Sequence, residues 1–420
     1  MLTSLNSHGG GGGAQHHDHR HPSHQSLPHG HIAPSTRSCQ LLIGCAELIH
    51  RADYSAARRI ISLLSTISSP HGDSTDRLVH QFTRALSLHI DSLTHLLPPS
   101  FFSSNGDTLQ SSYLSLNKVT PFLRFAHLTA NQAILEAVDG RQSIHILDFD
   151  TSHGVQWPPL LQAIAERSEP SNRPSVRITG TGTDLDVLHR TGDRLKAFAS
   201  SLGLRFQFHP LHLPTTNPDT SASFSSFQPH PGETLAVNCT LFLHKLLRDR
   251  GSDDPACKLM GFLRAVKEMN PAVVTVAERE ANHNSPVFLQ RFMEALDHYA
   301  AVFESLEATL PPKSRERQEV EEMWLGREIE DIVGKEGEER RERHERFEWW
   351  EALMRGRGFS SLQLSPFALT QAKLLLRLHY PSEGYQLIQM SKNCLFLAWQ
   401  HKPLFSVSSW HIMQQSQKEP

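Results

Sequence analysis

Residues 144–161 read IHILDFDTSHGVQWPPLL. An apolar, β-branched run is followed by a polar turn, then by Pro158–Pro159 at the start of an amphipathic segment. That order predicts a buried strand, a tight connection and a helix, because proline is tolerated in the first helical turn and nowhere deeper. The same alternation repeats downstream. SIHILDF (143–149), SVRITGT (175–181), LRFQFHPL (204–211), TLAVNCT (234–240) and PAVVTVAERE (271–280) read as successive strands. Helices are predicted over 157–167, 184–203, near 256–269 and over 287–306. FSSLQLS (359–365) is a sixth strand, followed by the helix FALTQAKLLLRLH. YQLIQMS and CLFLAWQ flank Lys392–Asn393 as a hairpin, and FSVSSWH closes the pattern. Strands alternating with helices predict a parallel sheet, and the terminal hairpin predicts a methyltransferase-like, doubly wound, mostly parallel sheet of seven strands with the last antiparallel.

Upstream the period is 3.6 rather than 2. Leu41, Leu42, Cys45, Ala46, Leu48 and Ile49 lie at helical spacing, as do Ile60, Ile61, Leu63 and Leu64. Asp53 caps the second helix, Asp73 or Ser74 opens a third, and Thr120–Pro121 opens a fourth that Gly140 ends. The expected organisation is a Gly/His-rich disordered tail (1–36), a helical leucine-rich cap (37–140), an α/β core (141–413) with a charged helical insertion at 311–358, and a short tail (414–420). The tail histidines (His16, His17, His19, His21, His24, His29 and His31) could hold an ion incidentally, and no dedicated metal is expected there.

Composition narrows the function. The chain has 420 residues and a net charge of −3, so the basic excess of a DNA-binding domain is missing. Five scattered cysteines without CxxC spacing predict reduced, buried thiols. No apolar run suggests a signal peptide or a membrane span, so the chain reads as soluble and intracellular.

Open α/β sheets bind ligands beyond the carboxyl ends of their strands. Here that points to Asp148, Asp150, His153, Gly154, Asp184, Asn238 and Glu278 as candidate pocket residues. A nucleotide-type ligand needs glycines after the first strand, and DFDTSHG offers only Gly154. Asp148 and Asp150 would repel a phosphate. Asp184 either meets a ribose or caps the following helix. No G-x-S-x-G elbow accompanies Asp150 and His153, and Glu278, Glu280 and His283 lack HExxH order. No catalytic residue, cofactor or metal is therefore expected. Leu243, Leu246 and Leu247 spell LxxLL, which either fills a partner's groove or packs on the sheet. Residues 313–346 mix both charges and predict amphipathic helices paired at i,i+4 on a solvated face, or else a docking surface that includes Arg327 and Glu328. Trp410 is a further partner-contact candidate, or a lock on the last strand.

Several of these segments resemble one family in its order. IHILDFDTSHGVQWPPLLQAI looks like the central VHIID motif of plant GRAS proteins, with Ile146–Leu147 as a conservative departure. TPFLRFAHLTANQAILEA resembles the leucine-rich segment before it. GREIEDIVGKEGEERRERHERFEWW is similar to the RE part of the PFYRE region, and Trp399, Leu404, Ser408, Ser409 and Trp410 match the SAW motif. The resemblance covers about residues 38–413 and is nearest the Lateral suppressor (Monoculm) branch. It implies a nuclear, non-enzymatic plant transcriptional regulator with a role in axillary shoot meristems. Its partners would be other GRAS proteins and DNA-binding zinc-finger factors. A domain binding S-adenosylmethionine or another small molecule, and one contacting DNA directly, are the alternatives.

Overall fold

The structure is a computed structural model that describes residues 36–94, 106–213, 229–248 and 257–413. The expectations for the Gly/His tail and for the last seven residues lie outside the described residues.

Five helices come first: α1 (Arg37–His50), α2 (Tyr54–Ile67), α3 (Ser74–Leu93), α4 (Gly106–Val119) and α5 (Pro121–Ala137). Their starts follow local chemistry. Asp53 accepts from Ala56 N at 3.0 Å and Asp73 from Asp76 N at 2.9 Å, each satisfying an orphan amide of the first turn. Next come β1 (Ser143–Phe149), α6 (Trp157–Arg167), β2 (Ser175–Gly182), α7 (Leu185–Ser201), β3 (Arg205–His212), β4 (Thr234–Thr240), α8 (Cys257–Glu268) and β5 (Val273–Arg279). Then follow α9 (Phe288–Thr309) and α10, a continuous helical stretch over 315–334. Its α turns (Arg315–Glu319, Gly326–Ile329) alternate with wider π turns (Val320–Leu325, Glu330–Gly334). The chain ends with α11 (Phe347–Gly356), β6 (Phe359–Leu362), α12 (Pro366–His379), β7 (Tyr385–Ser391), β8 (Cys394–Trp399) and β9 (Lys402–Ile412).

The nine strands form one sheet in the order β3-β2-β1-β4-β5-β9-β8-β7, with β6 also on β9. The pairings β1–β2, β1–β4, β2–β3 and β4–β5 are parallel, whereas β5–β9, β6–β9, β7–β8 and β8–β9 are antiparallel. β9 pairs with β5 over 405–410 and, on its other side, with β8 over 402–408 and β6 over 409–412.

This corrects the expected methyltransferase-like fold class. Among the described residues the sheet is half antiparallel rather than mostly parallel, with nine strands rather than seven. The helical region is not a separate cap either. Its core residues Phe82, Leu86 and Phe122 belong to the same apolar cluster as Phe292 and Tyr299 of α9, Ile329 and Ile332 of α10 and Phe405 of β9. Phe82 meets Phe292 edge-on at 5.6 Å, and Phe122 stacks on Phe405 at 5.2 Å. A helix whose apolar face is completed by residues two hundred positions later cannot be recognised as part of the core from local periodicity.

The charged stretch is the second correction. Instead of a solvated face paired at i,i+4, it buries Arg317, Glu321, Glu328, Asp331, Arg340, Arg343, His344 and Glu345. Arg77 of α3 bonds both oxygens of Glu321 at 2.8 and 3.1 Å and also meets Glu307 at 2.6 Å. Only some pairs, such as Lys335–Asp331 at 2.8 Å, follow helical spacing. Cys39, Cys45, Cys239 and Cys394 are buried free thiols, and burial pushes Cys45 up to about 12. No described helix is long and apolar enough to cross a membrane.

Candidate functional site

Parallel register sets the site at the end of β1. Asp148 lies level with Gly180 of β2 and Asn238 of β4, and Asn238 is level with Thr275 of β5. The Asp148 carboxylate turns into the protein. It accepts from Trp157 Nε1 and from Asn238 Nδ2, each at 2.8 Å. Asn238 Oδ1 in turn accepts from Thr275 Oγ1 at 2.8 Å and Gln156 Nε2 at 3.1 Å, and Gln156 is tied to Asn131 of α5. Burial raises Asp148 to about 6, against the pull of the bonds from Asn238 and Trp157. The carboxylate that a cofactor hydroxyl would need is thus engaged on both oxygens.

The turn itself is left-handed at Asp150 (φ 64°), Ser152 (φ 49°) and Gly154 (φ 64°). Non-glycine residues hold such angles only when the surroundings fix them. Thr181 does so, accepting from Thr151 N at 2.9 Å through its carbonyl and from Asp150 N at 3.0 Å through its hydroxyl. Gly154 is needed for a second reason. A Cβ there would sit 2.6 Å from Thr191 Cγ2 of α7. Asp150 pairs with Lys245 from the loop after β4. Tyr113 of α4 faces His153, with ring centroids 5.7 Å apart. Phe149 stacks on Phe242 at 4.9 Å. Asp184 caps α7 through Val187 N at 3.0 Å, so its ordinary structural role is filled.

The remaining candidates sort cleanly. Leu243 and Leu246 form one 3₁₀ turn, Leu243–Leu246, and with Leu247 they are buried against α8 and β5. Trp410 is fully buried and donates to Ser408 at 2.9 Å. Glu328 is buried between Arg279 Nη2 at 2.6 Å and Tyr299 OH at 2.9 Å. These five side chains face the interior: the leucines and Trp410 take the packing alternative, and Glu328 is set aside as a partner contact. Arg327 alone of the six is half-buried and retains surface.

A second polar cluster lies at the end of β5. Glu278 accepts from the backbone amides of Leu243 (2.8 Å) and His244 (3.3 Å) and from His244 Nδ1 at 2.7 Å. On the far side of the same ring, His244 Nε2 lies 3.1 Å from Glu342 Oε2, which is also 3.1 Å from His344 Nε2. His344 Nδ1 is 3.0 Å from His283 Nδ1. Burial alone would lower His244, but Glu278 and Glu342 outweigh it and hold the ring up to about 9. Burial and the neighbouring His244 instead push His344 down to about 4. The sequence reading had Glu278 and His283 but missed His244, Glu342 and His344. The only available signal was that β4 and β5 adjoin, which places the loops following each side by side.

Comparison with known proteins places this arrangement. The GRAS domain family matches residues 38–411, and the chain belongs to that family. It is a plant GRAS-type regulator that works through protein contacts and not a catalyst. It is 50% identical to Scarecrow-like protein 18 of Arabidopsis thaliana, across 88% of this chain and 90% of that protein. It is 49% identical to Protein MONOCULM 1 of Oryza sativa subsp. japonica, across 90% of this chain and 88% of that one. The crystal structure of SCL7 in Oryza sativa superposes with a TM-score of 0.76 at 35% identity, covering 90% of this chain and all of that one. The fold is accordingly the GRAS-domain type, which completes the correction of the methyltransferase-like class.

Proposed function

We propose that the chain regulates transcription in the plant nucleus, recruited to promoters by partners rather than by its own grip on DNA, and that it acts in the initiation of axillary shoot meristems. The meristem role rests on the likeness of its VHIID-type segment to the Lateral suppressor (Monoculm) branch, and agrees with 49% identity to Protein MONOCULM 1. Its partners are other GRAS-domain chains and DNA-binding zinc-finger factors.

The observation that carries the contact reading is the closed end of β1. Both Asp148 oxygens, the Asn238 amide and the Phe149 ring are spent on internal contacts. Apolar surface is offered elsewhere. Phe367, Leu374 and Leu378 lie at helical spacing on one face of α12, and all three are exposed. The net charge of −3 argues against phosphate neutralisation as the source of affinity.

The test is co-precipitation of the full chain with a second GRAS-domain protein, alongside a gel-shift with promoter DNA. The expected result is association that weakens in Leu378→Asp at unchanged melting temperature, and no specific shift by the purified chain alone. A specific, strongly salt-dependent shift without any partner would overturn the proposal.

A further inference from the structure

The cluster after β5 has an unusual feature for a buried hydrogen-bond network. His244 and His344 are almost wholly buried, and the Nε2 atoms of both lie 3.1 Å from the same Glu342 oxygen, so one carboxylate oxygen faces two imidazole nitrogens at once. Two imidazoles and a carboxylate that converge in a buried pocket form a ligand set of the kind divalent transition metals take. One donor atom from each of His244, Glu342 and His344 lies within 4.8 Å of the others.

We propose that His244, Glu342 and His344 bind a divalent transition-metal ion of the zinc type, with a fourth position for water. Three observations converge on this. The first is spacing. Zinc bonds imidazole nitrogen and carboxylate oxygen at about 2.0–2.2 Å, so neighbouring ligand atoms of a tetrahedron lie roughly 3.3 Å apart. Both His–Glu separations are 3.1 Å. The second is orientation. Glu278 accepts from Nδ1 of His244 at 2.7 Å, which turns Nε2 toward the site, where a bound metal would displace its proton. A carboxylate behind a ligating imidazole fixes its tautomer and strengthens it as a donor. Glu278 is itself held by two backbone amides, and His344 Nδ1 is engaged by His283. The third is charge. Glu278 and Glu342 bring two carboxylates to a buried pocket, offset there by the second proton of His244, which a metal would replace, while Arg279 and Lys245 make their direct contacts with Glu328 at 2.6 Å and with Asp150. A divalent cation balances the pair. Glu342, the least buried ligand, opens the fourth position toward solvent.

The ion would tie the turn after β4 to the segment that follows α10. It would be a structural fastening on the charged region, with no reaction assigned to it. The sequence also carries seven histidines between positions 16 and 31, which bind metal ions unspecifically. The test therefore uses the full chain with those seven changed to Gln, stripped with a chelator and titrated with Zn²⁺ and Co²⁺. The expected result is one equivalent bound below micromolar Kd, an intense Co²⁺ visible spectrum of tetrahedral type, and a higher melting temperature when loaded. Glu342→Gln should lose at least tenfold in affinity. Because a ligand variant can misfold, the Co²⁺ spectrum of the unsubstituted site stands as an independent readout. Sub-stoichiometric binding, the pale spectrum of octahedral Co²⁺, or equal affinity in a folded Glu342→Gln would each overturn the proposal.

Discussion

Asp148→Asn separates two physical readings of the β1 carboxylate. Asparagine keeps the shape of a protonated aspartic acid and carries no charge, but its NH2 must face a donor, the Trp157 indole or the Asn238 amide, where the acid still accepts. Two hydrogen bonds favour the ionised form of Asp148, and complete burial disfavours it. Burial wins, raising the group from 3.8 to about 6. A carboxyl raised on folding contributes stability that is present below its unfolded value and lost as pH climbs through the folded one. The window is therefore about pH 4 to 6. A shift of roughly two units at about 1.4 kcal/mol each amounts to about 3 kcal/mol. Below pH 4 the variant should be the less stable by the cost of the hydrogen bond lost at its NH2, about 1–3 kcal/mol. Between pH 4 and 7 the gap should move in the variant's favour by about 3 kcal/mol, because the variant never buries a charge. Urea unfolding of both proteins at half-unit steps from pH 4 to 7.5 measures this difference, and other titrating groups cancel in the comparison. A gap that widens in the opposite sense, with the parent gaining on the variant as pH rises, would refute the reasoning. It would mean that Trp157 and Asn238 hold the carboxylate more strongly than burial opposes it.

Leu246→Ala and Leu247→Ala should each lower stability by about 2–5 kcal/mol, since both side chains are core; loss of a partner at unchanged melting temperature would contradict this. Gly154→Ala should be destabilising by about 2 kcal/mol or more, because it adds left-handed strain to a 2.6 Å approach to Thr191, as thermal unfolding will show. Arg77→Met should lower stability by about 3 kcal/mol by leaving Glu321 buried with only Arg317, at 3.8 Å, to offset its charge. Adding Glu321→Met should recover much of that loss, and a calorimetric scan of the single and double variants reads the recovery.

The elements of the α/β half were legible because each is decided within a short window. Trp157–Arg167 is a helix because Pro158 and Pro159 sit where proline is allowed, and β1 is a strand because six of its seven residues are buried on both faces. The class was not legible, because it depends on which edges pair. β9 alternates like any half-buried strand, and nothing local says that it lies between β5 and β8. The helix α4 was missed because its apolar residues are sparse. The burial of Arg77, Arg279 and Arg317 was invisible for a similar reason: an arginine reads as surface until its carboxylate arrives from another element. At the candidate site, Asp148 and Asn238 were correctly brought together by strand-end reasoning. Their engagement with Trp157 was not, since it depends on how the indole turns back across the sheet.

The position of β9 has a consequence for how the chain is made. It is the last of the nine strands to leave the ribosome, yet it sits inside the sheet with neighbours on both edges. Until residues 402–412 emerge, the nascent chain exposes one open edge on β5 and another on β8, both flanked by apolar residues that β9 later covers. Such edges invite pairing with other chains. Synthesis of this protein should therefore lean on holdase chaperones throughout elongation, and a premature stop anywhere before 402 should yield an aggregate rather than a shorter folded product.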